Sequence, residues 1–289
     1  MITVIIPSYN RAHLLHKTIP TYLQKGVSRI LVIDDASTDN TKEVVFELQR
    51  EIKELDYIRL AKNSKQVFAK NVGINLTKTD WIYFGDDDSI LLDNSIEKLL
   101  ETCVINNAEI CGCKALYMER DGDVNLFVER NDILIQSNQD IANIRNLTAR
   151  FQYSVSSPIE VSFTHASALV RTKLAKEIKF DTHYFGNCYR EETDFFIRCK
   201  LSGAKLYFNS KAVQVNLPRS IAKGGSHSSG KLKWYYYSIV NNHYFIKKNW
   251  KEIESHFANV QSGLIVEGLF IGKLFLAGVS NLLRKIIKR

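Results

Sequence analysis

The strongest constraint on this fold is the regular alternation, over the first hundred residues, of short β-branched or aromatic runs with longer amphipathic stretches. Ile2 to Ile6 is such a run and stops at Pro7. "RILVIDD", "YIRLA" and "WIYF" follow at intervals that leave room for a helix each time. The second run is too continuously apolar to be half exposed, which fits a parallel strand buried on both faces. Between the runs, Leu14, Leu15, Ile19, Tyr22 and Leu23 share one helical face, and so do Val44, Val45, Leu48, Ile52 and Leu55. "KQVFAKNVGINL" and the stretch from Asn94 to Asn107 read as two more helices. Asn10 and Asn40 are the predicted caps, Asn40 in a capping box with Glu43, and Pro20 predicts a kink. Parallel neighbours need crossover connections. The pattern therefore predicts an α/β fold, a mostly parallel sheet flanked by helices.

In such sheets ligands collect beyond the carboxyl ends of the strands. The residues that follow three of the four runs are "PSYNR", "DDASTD" and "GDDDS". Polar side chains are thus gathered at one end of the sheet. The three consecutive aspartates Asp86, Asp87 and Asp88 repel one another, so a cation is expected among them. A calcium loop draws ligands from alternate positions around a glycine turn, and "DDDSILLDN" lacks that spacing. Mg²⁺ or Mn²⁺ takes one or two carboxylates and leaves sites open for substrate phosphates, which suits a cluster at a strand end.

Composition narrows the partners. The chain has 289 residues, 45% hydrophobic, enough for a large core. A formal charge of +8 favours an anionic partner. There is no base-reading motif, so no nucleic acid is expected. The five cysteines show no metal-binding or disulfide spacing and read as buried thiols of a reducing compartment. No signal peptide is recognisable, and the apolar stretch Leu264 to Leu283 is interrupted by Glu267 and Lys273. A cytoplasmic location is expected, at the inner face of a membrane.

The middle of the chain, from about Glu109 to Ala212, is less patterned. "EICGCKALYM" and the alternation from Pro158 to Phe163 suggest strands of a mixed sheet, "ETDFFIRCKLSG" a helix, and "KLYFN" and "AVQVN" two short strands. After Pro218 a Gly/Ser loop, "AKGGSHSSGK", leads to an aromatic and basic stretch and then to "GLIVEGLFIGKLFLAGVSNLLRKIIKR". Two units are predicted: a catalytic domain over 1–220 and a helical extension over 221–289. The last stretch reads as an amphipathic helix lying on a membrane surface, its four terminal basic residues facing anionic lipid. A helix packed on the domain or on a second copy is the alternative.

Four motifs in order, "VIIPSYNR", "VIDDASTDNT", "AKNVGI" and "FGDDDS", resemble the nucleotide-sugar domain of the family-2 inverting glycosyltransferases, which have the GT-A fold. The resemblance spans roughly residues 1–220. It implies that Pro7 and Tyr9 frame the base of a nucleotide-diphosphate sugar, a UDP-sugar being the common donor, and that Asp35 accepts a hydrogen bond from the uracil N–H. Arg11, Lys70, Asp86 and Asp87 fall in the same nucleotide-binding set. Lys70 replaces the family's arginine, a point charge in place of a fork. The resemblance also implies that Asp88, with Asp86, holds Mn²⁺ or Mg²⁺. Within "REETDFF" it places the general base at Glu192, with Glu191 beside it and Asp194 further on. Here Glu stands where Asp is common, and Arg190 where glycine is usual. Asn216 stands where the family often has a histidine, and His227 is a substitute metal ligand. The implied acceptor is a glycan or a lipid-linked glycan.

Two other functions fit parts of the sequence. A sugar-1-phosphate nucleotidyltransferase needs a glycine-rich phosphate loop, and "PSYNRAHL" contains no glycine. A non-catalytic nucleotide-sugar-binding or scaffold protein would have little use for Glu192 together with three aspartates.

Overall fold

The computed structural model describes residues 1–135, 141–224 and 230–287, with side chains to residue 276. In chain order, β1 (Ile2–Ser8), α1 (Ala12–Thr18), β2 (Val27–Asp34), α2 (Thr41–Leu48), β3 (Leu55–Arg59), α3 (Lys65–Leu76) and β4 (Trp81–Phe84) realise the predicted alternation. β5 (Ser89–Leu91), α4 (Ser95–Asn106), β6 (Ile110–Tyr117) and α5 (Val124–Arg130) follow. The two-residue strands β7 (Ala142–Asn143), β8 (Thr148–Ala149) and β9 (Ile159–Glu160) precede β10 (Ala168–Arg171), α6 (Thr172–Ile178) and α7 (Glu191–Leu201). β11 (Leu206–Asn216) and the long helices α8 (Lys231–His256) and α9 (Gly263–Ile287) complete the described elements.

The main sheet has the order β3-β2-β1-β4-β10-β6-β11-β5, with β9 beside β11. β3, β2, β1 and β4 are mutually parallel. β10 is antiparallel to both of its neighbours, and β11 returns parallel to β6. The sheet is therefore mixed beyond β4. Two cores cover its faces. Ile5, Leu31, Ile33, Ile82 and Phe84 point to one, Ile6, Ile30, Val32 and Tyr83 to the other, as the period-2 alternation of strand side chains requires. Gly73 lets α3 lie close on β1, since a Cβ there would sit 2.5 Å from Ile5 Cγ2.

Local chemistry departs from expectation in three places. The first helix gives way around Pro20, as the proline predicts, to a 3₁₀ turn, Ile19–Tyr22, but its N-cap is Arg11 and not Asn10. Asn10 sits at φ 54°, and its Oδ1 accepts from the Thr38 amide at 2.7 Å, tying the first strand-end loop to the second. The Asn40 side chain does not cap α2. Asp39 does related work, accepting from the Thr41 amide (3.2 Å) and from the Ala12 amide (3.1 Å). "KLYFN" and "AVQVN" belong to one strand, β11, whose pairing with β6 shifts register between Asn209 and Val213. The five cysteines are free and buried, as expected.

α8 packs on α7 through a polar face. Ser238, Asn241, Asn242 and Asn249 are buried there among Phe245, Ile246, Trp250 and Ile253. Asn241 donates to the Phe185 carbonyl (2.8 Å), and Asn249 donates to Asp194 Oδ1 (2.8 Å). α9 in turn packs on α8, burying Val266. No helix among the described residues is long and apolar enough to cross a membrane.

Candidate active site

The loops after β1, β2 and β4 enclose a cavity of about 460 Å³. Pro7, Tyr9, Arg11, Asp35, Lys70 and Asp86 to Asp88 line it, so every nucleotide-site residue predicted from sequence meets in one place. Asn216 lines it too. Glu191 and Glu192, 121 residues or more away in the chain, are joined to it through Lys70.

The three aspartates do not act alike. Asp87 accepts from Ser8 Oγ at 2.8 Å, which fastens it to the end of β1. Asp86 accepts from Gln214 Nε2 at 3.1 Å. Burial, and then the neighbouring Asp88, push the Asp86 carboxyl well above its usual range. Asp88 keeps 28% of its side chain exposed and pairs with Arg11 Nη1 at 2.9 Å. Tyr22 shapes the turn: its hydroxyl donates to the Asp86 carbonyl (2.9 Å) and accepts from the Asp86 amide (3.0 Å). In sequence Tyr22 reads only as one apolar residue of a helical face, so nothing there signals this role.

Arg11 is 4% exposed. It spans the aspartate turn and the segment after β11, with Nη2 3.3 Å from the Gly224 carbonyl, while its Nε is buried with no hydrogen-bond partner among the described residues. Asp35 holds the start of α3. Its two oxygens accept from the Ser64 amide (2.6 Å) and the Lys65 amide (2.8 Å). Burial raises its pKa despite those bonds. A base N–H would have to use a further lone pair of the same carboxylate.

Lys70 is the junction of the site. Its ammonium is 2% exposed and lies 2.7 Å from Glu191 Oε1 and 2.9 Å from Glu192 Oε1. It also sits 4.9 Å from the centre of the Phe180 ring. Burial pulls its pKa down, but Glu191 and then Glu192 more than offset this, and the net shift is upward. Lys70 is therefore a fixed cation whose first partners are carboxylates. Glu191 is buried, accepts also from Gln66 (2.9 Å), and leaves Oε2 without a partner. Burial pushes its carboxyl up. Glu192 has 32% of its side chain exposed and accepts from the Ala166 amide at 3.2 Å. Burial acts upward on it as well, but Lys70 outweighs burial and holds it below the usual range. Of the two, Glu192 is the more exposed carboxylate and the one that Lys70 draws toward its ionised form. Asp194 is fully buried and is used up by Arg198 (2.7 Å), Lys248 (2.9 Å) and Asn249.

Asn216 has little ligating capacity left. Its Oδ1 accepts from Ser89 Oγ (2.9 Å) and its Nδ2 donates to the Leu116 carbonyl (3.1 Å). His227 lies outside the described residues. Among the described residues, no cluster of three or more His, Cys, Asp or Glu side chains forms a preassembled metal cage. Asp86 and Asp88 fit the other kind of site, in which one or two carboxylates share a divalent ion with a diphosphate.

Several lining residues carry no recognisable signal in sequence. Asn63, Lys65 and Gln66 border the cavity from the α3 entrance. Tyr237 reaches it from α8, its ring lying against Gly186. A Cβ at Gly186 would meet that ring at 2.3 Å, and the residue has φ +66°, so glycine is required on both counts.

The family model for glycosyl transferase family 2 matches residues 3–178. The chain is similar to the GalNAc(5)-diNAcBac-PP-undecaprenol beta-1,3-glucosyltransferase of Campylobacter jejuni, at 28% identity over 190 residues, 64% of this chain and 56% of that protein. In fold it is similar to residues 1–349 of S. aureus TarS in complex with UDP-GlcNAc, with TM-score 0.59 at 17% identity, covering 86% of this chain and 66% of that one. It is also similar to the mannosyltransferase PcManGT of Pyrobaculum calidifontis in complex with GDP-Man and Mn²⁺, with TM-score 0.60 at 15% identity, covering 98% and 80%. The ordered strand-end motifs, the α/β sheet that brings them together and the match over more than half of its length agree: the chain belongs to glycosyl transferase family 2.

Proposed function

We propose that the protein transfers a sugar from a nucleotide-diphosphate sugar, a UDP-sugar, to an acceptor hydroxyl with inversion. One observation carries this reading. An accessible carboxylate, Glu192, is kept ionised by a buried lysine that also borders the aspartate-lined cavity. Inversion is a single displacement, with the acceptor oxygen attacking opposite the leaving diphosphate. A hydroxyl is a poor nucleophile until its proton is removed. Glu192 Oε1 and Oε2 are held by Lys70 and by the Ala166 amide, which orients the carboxylate to accept that proton. Tyr9 and Pro7 would flank the base. Lys65 and Arg11 supply positive charge along the diphosphate. Asp88, with Asp86, would hold Mn²⁺ or Mg²⁺, which when bound offsets charge on the leaving diphosphate.

The relative named for an undecaprenol-linked glycan favours a lipid-linked acceptor. Leu264, Ile265, Leu269, Phe275 and Leu276 of α9 are exposed. These exposed apolar side chains are the proposed surface for a peripheral contact. The test of the central reading is Glu192→Gln, nearly isosteric. Donor turnover should fall at least ~10²-fold, while UDP affinity stays within a few fold. The product anomer, read by NMR, should be opposite to the donor's. Undiminished turnover in this variant, or a retained anomer, would refute the mechanism.

A further inference from the structure

The described residues also form a second cavity, of about 430 Å³. Its lining includes Tyr117, Phe127, Asn131, Ile133, Gln152 and Tyr153. Two lines of contact place it on the Glu192 side of the donor cavity. Tyr117 is the strand partner of Asn216 in the β6–β11 pairing, and Asn216 lines the donor cavity. The run that carries Gln152 and Tyr153 begins at Phe151, whose ring lies 5.0 Å from the His165 ring. The next residue, Ala166, donates its amide to Glu192.

The lining chemistry selects the ligand. Three aromatic rings and an isoleucine supply apolar area, and Asn131 and Gln152 supply amides. Among the described residues, none of those that line the cavity is charged. The neighbouring Lys114 is 1% exposed, and its ammonium is spent on Asp132 (2.8 Å), Ser154 (2.9 Å) and the Asn131 carbonyl (3.3 Å). A phosphate entering here would meet no charged side chain among the described lining residues to offset its lost hydration. A neutral pyranose would place its C–H faces on the rings and its hydroxyls on the amides and phenols.

We infer that this cavity is the acceptor subsite and that it takes a neutral hexose or N-acetylhexosamine, presenting one hydroxyl to Glu192. The inference rests on the reading of Glu192 as the base. The test uses the full chain with UDP and Mn²⁺ and three probes: methyl β-glucoside, methyl N-acetyl-β-glucosaminide and ribitol 5-phosphate. Saturation-transfer NMR should show at least one neutral glycoside bound. Tyr153→Ala and Phe127→Ala should each weaken that binding at least tenfold, with UDP affinity within twofold of wild type in the same samples. Retained UDP affinity also shows that the variant is folded, and Tyr153→Phe should keep glycoside binding. The inference is overturned if neither glycoside binds the wild type, if both alanine variants bind as well as wild type, or if ribitol 5-phosphate is the preferred probe. Loss of UDP binding by the wild type would instead strike the donor reading, so the two failures are distinguishable.

Discussion

Removing the Lys70 charge should move the pH dependence of catalysis. Lys70 Nζ lies 2.9 Å from Glu192 Oε1. At an effective dielectric constant near 20, a charge pair at about 4 Å is worth ~4 kcal/mol, equivalent to ~3 pKa units at ~1.4 kcal/mol each. Lys70 divides its field between two carboxylates, and Glu192 keeps 32% of its side chain in solvent. Both discount the figure, leaving about 1–2 units. The sign follows from the role. A general base works when deprotonated, and Lys70 holds Glu192 below its usual range. In Lys70→Met the acidic limb of the kcat/KM profile should therefore rise by about 1–2 pH units, with activity recovering above it. The same change leaves Glu191 buried without its cation, so a stability loss of about 3–5 kcal/mol is expected. Lys70→Arg keeps the charge and should keep the limb in place. The assay is donor turnover from pH 4 to 9 on samples checked for folding by circular dichroism. An unmoved limb in folded Lys70→Met would show that Lys70 does not set the ionisation of the base, or that Glu192 is not the base.

Arg11 occupies Asp88 in the described structure, so Arg11→Met should bind Mn²⁺ alone more tightly, by roughly tenfold or ~1.4 kcal/mol; Mn²⁺ titration followed by EPR reads this, and an unchanged affinity counts against the competition. Asp181 ties α8 to the segment before α7, accepting from Lys248, Tyr244 and His183. Burial acts upward on its carboxyl, but those bonds, led by Lys248, hold it well below its usual value. Its contribution is thus fully present above the unfolded pKa near 3.9 and is lost as pH falls below about 5 toward the folded pKa, with a slope of up to ~1.4 kcal/mol per pH unit. Asp181→Asn should flatten the acid side of a urea-denaturation series, and identical slopes in both proteins would dismiss the pair. Phe275→Asp combined with Leu276→Asp, both at exposed positions of α9, should abolish co-sedimentation with anionic vesicles and leave soluble-donor turnover unaltered. Persistent co-sedimentation would remove α9 from membrane contact.

The parallel half of the fold was legible because each element there carries its own period. "WIYF" and "KQVFAKNVGINL" became β4 and α3 with the predicted limits. Side-chain burial fixes such elements locally, and the strand-end clusters follow from the topology. Pro7, Tyr9, Asp35 and the aspartate triplet could be placed in one cavity for that reason. The caps were less legible. Asn40 and Asp39 are both competent acceptors at neighbouring positions, and the choice fell to the tertiary contact between Asp39 and the Ala12 amide. The assignment of work within the acidic pair was not legible at all. Glu191 and Glu192 are chemically identical in the sequence. They differ because the first turn of α7 buries one against Lys70 and leaves the other about a third exposed. Lys70 itself looked like a donor-binding cation, and only a contact across 122 residues makes it the partner of Glu192, the proposed base. Tyr22 and Tyr237 belong to the same class. Hydrophobic periodicity records which face of an element is buried, but not which distant backbone or cavity that face will meet, and that was decided when α1 and α8 closed over the ends of the strands.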